Sequence, residues 1–172
     1  MLRIPGGIMI VAGCLGLGMW YRNQFILRLK NLRILQGVLE MLMSEISYGK
    51  ATLPECCKHI GDRCQEPLRS CFLEIYQRMQ ENMGEGFQEV FCDKMEACLK
   101  EVPITGEDKD NFLAFAKGKS FEDGRMQLRT IERSKELLGN TIESLARENG
   151  EKCRMALGLG AMSGLLLVII LL

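Results

Sequence analysis

The sequence lacks the residues on which most metal sites and catalytic centres depend. Its single histidine is His59, and no two of its eight cysteines form a Cys-x-x-Cys pair. Structural zinc sites need such short spacings, and Ser-His-Asp or Cys-His centres need a histidine near the nucleophile. Residues far apart in sequence can still meet in a fold. We nevertheless predict no metal site, no cofactor and no catalytic residue, and therefore a protein that is not an enzyme.

A nucleotide-binding loop is also missing. Gly118-Lys119-Ser120 matches the end of a phosphate-binding loop, but Leu113 stands where that motif requires its first glycine. A helical pattern precedes it, whereas the motif follows a strand. The nearby acidic residues 107, 108 and 110 open a predicted helix, where the helix dipole favours negative charge. We interpret these residues as structural.

The chain also has no excess of charge of either sign. It contains 22 Lys and Arg against 22 Asp and Glu, so its formal net charge is +0. A dedicated nucleic-acid binder is normally basic, and we therefore expect no nucleic-acid partner. Aromatic residues make up only 6% of the chain, and no run shows the alternation typical of strands. We therefore predict an all-α fold.

Long apolar runs occupy both ends of the chain. Residues 155–172 read MALGLGAMSGLLLVIILL and carry no charge, and as a helix they would span roughly 27 Å, close to the thickness of a bilayer core. Residues 4–20 form a second apolar, glycine-rich run that ends in Trp20 and Tyr21, residues suited to the headgroup level. We predict two terminal transmembrane helices.

The first apolar run allows two other interpretations, a cleaved signal peptide and a lipoprotein signal. No Ala-x-Ala-like site, typical of signal-peptide cleavage, follows the run. Residues 11–14, Val-Ala-Gly-Cys, loosely resemble a lipoprotein processing site with Cys14 as the acylated residue. However, the run stays apolar beyond Cys14, which favours a membrane helix. Basic residues follow this run and precede the last one, so the middle of the chain should face the cytoplasm. The predicted domains are a transmembrane helix over 1–21, a cytoplasmic helical bundle over 22–154 and a transmembrane helix over 155–172.

The first half of the middle region reads as helices separated by clear stop and start signals. Residues 25–48 carry an apolar stripe at helical spacing, and Gly49 ends it. Thr52-Leu53-Pro54-Glu55 reads as a capping box with its proline in the first turn. The helix that follows should run to about residue 65, and Pro67 should restart it toward Met83.

The second half continues in the same way. Residues 87–101 form a predicted helix closed by Pro103, and Thr105-Gly-Glu-Asp108 caps a helix that holds Phe112, Phe115 and Ala116. Ser120 is a third predicted cap. From Arg125 a helix can continue into the last apolar run, with an apolar stripe comprising Leu128, Ile131, Leu138, Ile142 and Leu145. It is either an ordinary bundle helix or a coiled-coil stalk that pairs with the helix over 25–48.

Cysteines and glycines in these helices allow two further interpretations. Cys57, Cys64 and Cys71 recur every seven residues, which places them on one helical face, and we interpret them as core residues. The alternative is a thiol-based or metal-binding sensor. In the last apolar run, Gly160 and Gly164 form a Gly-x-x-x-Gly motif that lets two membrane helices approach closely.

The order of several short motifs resembles one known family. These motifs are Leu39-x-x-Leu42-x-x-Glu45-Ile46-x-Tyr48-Gly49, then Leu53-Pro54-Glu55, Ser120-x-x-Asp123 and Gly160-x-x-x-Gly164. Together with the apolar ends and the helical middle, they resemble stage III sporulation protein AB of endospore-forming bacteria. The resemblance extends along the whole chain.

The resemblance implies a membrane subunit of a secretion-like complex that links mother cell and forespore. It places the chain in the mother-cell membrane around the forespore, with a cytoplasmic domain similar to type II secretion platform proteins. It also implies a cytoplasmic ATPase of the same operon and other membrane subunits as partners. We predict a docking corner for the ATPase at Glu45, Tyr48, Gly49, Leu53, Pro54 and Glu55.

Overall fold

The computed structural model describes residues 3–48, 52–81, 85–117 and 126–148. Within these ranges the chain is helical and contains no strand, so the predicted all-α fold is confirmed. The helices are α1 (Arg3–Tyr48), α2 (Leu53–Arg63), α3 (Leu68–Glu81), α4 (Phe87–Leu99), α5 (Gly106–Leu113) and α6, over 126–148.

Helix α1 is longer than the amphipathic helix predicted over 25–48. It begins at Arg3 and continues without a break to Tyr48. Where the first apolar run meets the amphipathic part of the helix, residues 20–35 contain no glycine or proline that would separate the two. The first apolar run is therefore helical, as the opening part of α1. Among the described residues, however, no helix has both the length and the hydropathy that a membrane crossing requires. The other predicted membrane segment, 155–172, lies outside the described residues.

The chain divides into two compact units. One unit, the terminal unit, combines Met1–Leu29 with Glu143–Leu172. Its described part comprises the beginning of α1 and the end of α6, where Leu145 is buried and Arg147 pairs with Glu143 one turn earlier. The other, the central unit, is Lys30–Ile142. The predicted domain boundaries at residues 21 and 154 stay predictions.

The central unit is held together by apolar side chains that every one of its helices contributes. From α1 the stripe predicted by helical spacing is buried at Leu32, Leu35, Val38, Leu39 and Leu42. Helix α2 packs against α3, α3 against α4 and α4 against α5. The remaining buried apolar residues of the unit are Cys56, Cys57, Ile60, Leu68, Cys71, Phe72, Ile75, Val90, Phe91, Met95, Leu99, Phe112, Leu113, Phe115, Ala116, Ile131, Leu138 and Ile142.

Phe91 lies at the centre of an aromatic cluster in this core. Its ring centroid is 5.4 Å from that of Phe87, 6.2 Å from that of Phe72 and 5.4 Å from that of Phe115. The rings of Phe112 and Phe115 meet edge to face at 6.1 Å. Such tilted and edge-on contacts are the favoured geometry for aromatic pairs. The cluster therefore connects α3, α4 and the residues that directly follow α5.

Helix ends in the described chain follow local signals, with small differences from the prediction. Thr52 and Thr105 are the N-caps of α2 and α5, as predicted, whereas the predicted cap at Ser120 lies outside the described residues. Helix α5 is shorter than expected and ends at Leu113. There the backbone N–H of Ala116 donates to the carbonyl oxygen of Leu113, three residues earlier, at 3.0 Å. This tighter, 3₁₀-type turn ends the α-helix.

Candidate functional site

Glu45 is the residue of the predicted docking corner that connects two helices. Its Oε2 lies 3.2 Å from Nδ1 of His59 on α2, and its Oε1 lies 3.8 Å from Nη1 of Arg63, one turn further on. The Glu45 side chain is only 18% exposed, whereas that of His59 is 50% exposed. Glu45 therefore ties the end of α1 to the outer face of α2, and the two α2 side chains keep surface available for a partner.

Glu55, the second acid of the corner, serves a different purpose. Its Oε2 accepts a hydrogen bond from the backbone N–H of Thr52 at 2.8 Å and another from the Thr52 hydroxyl at 3.0 Å. These two bonds, the backbone bond first, lower the pKa of Glu55 because they favour its charged form. The Glu55 arm of the predicted capping box at this position is thus formed. The charge of Glu55 stays exposed at the start of α2.

Tyr48 is the most exposed large side chain at the corner. It is the last residue of α1, and 92% of its surface is accessible. Leu53 and Pro54 open α2 and are half-buried, and Gly49 lies outside the described residues. The described corner therefore presents an aromatic ring, two carboxylates, an imidazole and a guanidinium. Such a surface can form hydrogen bonds and ion pairs with another protein.

Sequence reasoning did not include His59 and Arg63 in the corner. A usable signal was present, because Glu55, His59 and Arg63 follow one another at intervals of four residues. Side chains at that spacing share one helical face. The contact of this face with Glu45 depends on how α2 folds back against α1, and no local pattern specifies that arrangement.

Another polar surface of the central unit has its cations already paired. A shallow groove is lined by Glu74, Gln77, Arg78, Glu81 and Lys94. Arg78 bonds to Glu85 and Asp93, and Lys94 bonds to Glu74. The bonds to Glu85, and then those to Asp93, raise the pKa of Arg78. The groove therefore offers no unpaired positive charge to an anionic ligand.

The cysteines of the central unit are free thiols of unequal burial. Cys57 and Cys71 are buried, as predicted, whereas Cys64 is half-buried because it lies at the end of α2. Cys56 is also buried, although it was not part of the predicted face. Burial raises the pKa of Cys57. Across the described ranges, no group of three His, Cys, Asp or Glu residues is placed to hold a metal ion.

Comparison with known proteins identifies the family. The sequence model described as stage III sporulation protein AB matches residues 3–172. The chain belongs to this family. A solved structure of stage III sporulation protein AB is similar in fold, with a TM-score of 0.64 at 15% sequence identity, over 72% of this chain and 96% of that chain. A comparison with curated proteins gives no match.

Membership of the stage III sporulation protein AB family confirms the resemblance drawn from the short motifs. The residues of the first of these motifs have different structural roles in this chain. Leu39 and Leu42 are buried in the core, Glu45 joins α1 to α2, and Tyr48 is exposed. The motif thus combines residues that build the bundle with residues that remain at its surface. The family assigns the chain to sporulation.

Proposed function

We propose that this chain is a non-enzymatic platform subunit of the sporulation complex between mother cell and forespore, and that it docks a cytoplasmic ATPase. Family membership supports the role in sporulation. The similarity to type II secretion platform proteins that the sequence resemblance implies supports the role of a platform. The chain would lie in the mother-cell membrane around the forespore, with its central helices in the cytoplasm.

The observation that carries the docking proposal is the exposure of Tyr48 beside the Glu45 contacts. Tyrosine is enriched among the residues that dominate binding energies at protein interfaces. Tyr48 extends from the last turn of α1, while Glu45, one turn earlier, is held by His59 and Arg63. A partner would thus meet a side chain on a well-anchored helix end.

Two terminal membrane anchors form the second part of the proposal. Their support is the apolar sequence of residues 4–20 and 155–172. The bilayer and other membrane subunits would be partners there, and Gly160 and Gly164 would allow close helix packing. Alkaline extraction of membranes tests the anchors, because an anchored chain stays in the pellet. Mass spectrometry of the native amino terminus tests the lipoprotein alternative, for which an acylated Cys14 would be the first residue.

Binding of the operon's ATPase to variants of the full chain tests the docking corner. We expect Tyr48→Ala to weaken binding by a factor of roughly 10 or more, as for a central interface residue. Glu45→Gln and Glu55→Gln remove charge while keeping side-chain shape, and each should weaken binding. Glu132→Gln is the matched control, since Glu132 is an exposed acid of α6, and it should bind like the parent.

Thermal unfolding of every variant must accompany these measurements. If the three corner variants bind the ATPase as tightly as the parent at equal folded stability, the corner is architectural and the docking proposal is wrong. If the parent chain itself shows no binding to the ATPase, the platform role is contradicted.

A further inference from the structure

Cys71 on α3 and Cys98 on α4 face each other in a reciprocal arrangement. The sulfur of Cys71 lies 3.5 Å from the carbonyl oxygen of Lys94, and the sulfur of Cys98 lies 3.8 Å from the carbonyl oxygen of Pro67. Lys94 precedes Cys98 by four residues, and Pro67 precedes Cys71 by four. The N–H of Cys71 bonds to that same Pro67 carbonyl, at 3.3 Å. Each thiol therefore lies over the helical turn that ends at the other.

The two thiols differ in their access to solvent. Cys71 is 6% exposed, and its sulfur also lies 3.9 Å from the sulfur of Met95 in the core. Cys98 is only half-buried. A reagent in solution can therefore reach Cys98, whereas little of Cys71 is accessible to it.

The pKa values of the two thiols are shifted in opposite directions. The neighbouring Cys71 thiol lowers the pKa of Cys98, and the neighbouring Cys98 thiol together with burial raises the pKa of Cys71. Among the six cysteines that the structure describes, the other four have a raised pKa, with burial as the largest cause. Since the thiolate is the reactive form of cysteine, Cys98 is the favoured nucleophile of the pair.

We propose that Cys71 and Cys98 form a reversible dithiol–disulfide site that reacts with low-molecular-weight disulfides. The Cys98 thiolate attacks one sulfur of the reagent, forms a mixed disulfide and releases one small thiolate. Cys71 loses its proton to solvent and attacks Cys98 Sγ, which releases the second small thiolate. The two protein thiols are thereby oxidised to one disulfide, and the reagent is reduced to two thiols. A small dithiol in excess reverses the reaction.

This site is separate from the proposed docking function. Its disulfide would link α3 to α4, whereas the docking corner belongs to α1 and α2. Its residues also differ from the face of Cys57, Cys64 and Cys71 that the heptad spacing suggested for a thiol sensor, because the partner of Cys71 lies on another helix. Only packing of α3 against α4 brings Cys98 to it.

The test uses the reduced full chain and oxidised glutathione as the probe. After the reaction, free thiols are blocked with N-ethylmaleimide, and the protein is digested without reduction for mass spectrometry. We expect a cross-linked peptide pair that joins Cys71 to Cys98, lost again after treatment with dithiothreitol. Recovery of both residues as blocked thiols, or a bridge from Cys98 to a different cysteine, would overturn the proposal.

Single variants identify the order of the two steps. In Cys71→Ser the glutathione adduct should persist on Cys98, because the second attack is lost. In Cys98→Ser, residue Cys71 should be recovered without an adduct, because it is shielded. Cys92→Ser removes another half-buried thiol of α4 and should cross-link like the parent. An adduct on Cys71 in Cys98→Ser would contradict the assignment of Cys98 as the attacking thiol. The parent cross-link remains decisive if Cys71→Ser does not fold.

Discussion

Lys135 on α6 and Glu40 on α1 form an ion pair in which Nζ and Oε1 are 3.1 Å apart. A second contact lies one turn away, where a Cβ added at Gly139 would be 3.3 Å from the side-chain nitrogen of Gln36. Residue 40 of α1 thus lies opposite residue 135 of α6, and residue 36 lies opposite residue 139. The residue numbers of α1 therefore increase in the direction in which those of α6 decrease. Within the central unit, α1 and α6 therefore run antiparallel and in contact. A coiled-coil stalk beyond this unit stays a prediction.

Gly139 at this contact gives the first prediction. We expect Gly139→Ala to stabilise the fold by about 0.5–1 kcal/mol, because alanine favours a helix interior over glycine. The only close atom is the end of the flexible Gln36 side chain, which can move aside. Urea unfolding followed by far-UV circular dichroism measures the change. Gly37→Ala is the control for propensity alone, since no atom lies within 4 Å of its added Cβ.

Gly61 should respond in the opposite direction. A Cβ there would lie 3.2 Å from Cβ of Phe72 and 3.3 Å from the side chain of Leu73, where α2 and α3 meet closely. Overpacking of this kind costs about 1–3 kcal/mol, which exceeds the gain in helix propensity. We therefore expect Gly61→Ala to destabilise the chain in the same urea experiment. A more stable Gly61→Ala would show that α2 and α3 can separate at little cost.

Residues with local signals were predicted well from the sequence. Thr52 and Thr105 cap their helices where the Thr-x-x-acid pattern placed them, and the buried side of α1 follows the predicted stripe at Leu32, Leu39 and Leu42. Capping and amphipathic spacing act within a few residues of chain, so the sequence displays them directly.

Features that depend on packing between helices were not predictable in the same way. Ser134 is buried on α6, although it was not part of the apolar stripe predicted for this helix. A straight helix drifts relative to a strict seven-residue repeat, so the buried face moves by a residue along its length. The contacts of Glu45 with His59 and of Cys71 with Lys94 also join different helices. Only the folded arrangement places these side chains together.

Phe91 should be among the most sensitive core positions. It is 1% exposed and contacts three other phenylalanines. Phe91→Ala removes a large side chain from this site and should cost about 3–5 kcal/mol. Phe87→Ala is the matched control, because Phe87 stacks on Phe91 but is only half-buried, and it should cost less. Equal losses in urea unfolding would mean that the cluster is not the centre of the core.

The Thr105 cap offers a test of local stabilisation. The Thr105 hydroxyl accepts the N–H of Asp108 at 3.3 Å, and the buried Asp108 carboxylate accepts the N–H of Thr105 at 2.9 Å. Thr105→Ala leaves the backbone N–H of Asp108 without its acceptor and should lower the free energy of unfolding by about 1 kcal/mol. Thr105→Ser keeps the hydroxyl and should stay close to the parent. A parent-like Thr105→Ala would show that water replaces the hydroxyl fully.

Glu55 makes the stability of the chain depend on pH in a defined direction. The backbone N–H of Thr52, and then its hydroxyl, hold the pKa of Glu55 below its ordinary value of 4.5 in the folded chain. The unfolded chain therefore binds a proton first as the pH falls. The stabilisation from Glu55 is complete above pH 4.5, and it is lost as the pH falls through the lower folded-state value.

Comparison of the parent with Glu55→Gln isolates this contribution, because glutamine can accept the same hydrogen bonds but does not titrate at acidic pH. Urea midpoints measured from neutral to acidic pH should fall more steeply for the parent than for the variant at the acidic end. The two curves should run parallel above pH 4.5. Glu132→Gln, which alters an exposed acid of α6, controls for the general effect of removing one carboxylate. Parent and Glu55→Gln curves that stay parallel into the acidic range would mean that the bonds from Thr52 do not favour the charged form of Glu55 in solution.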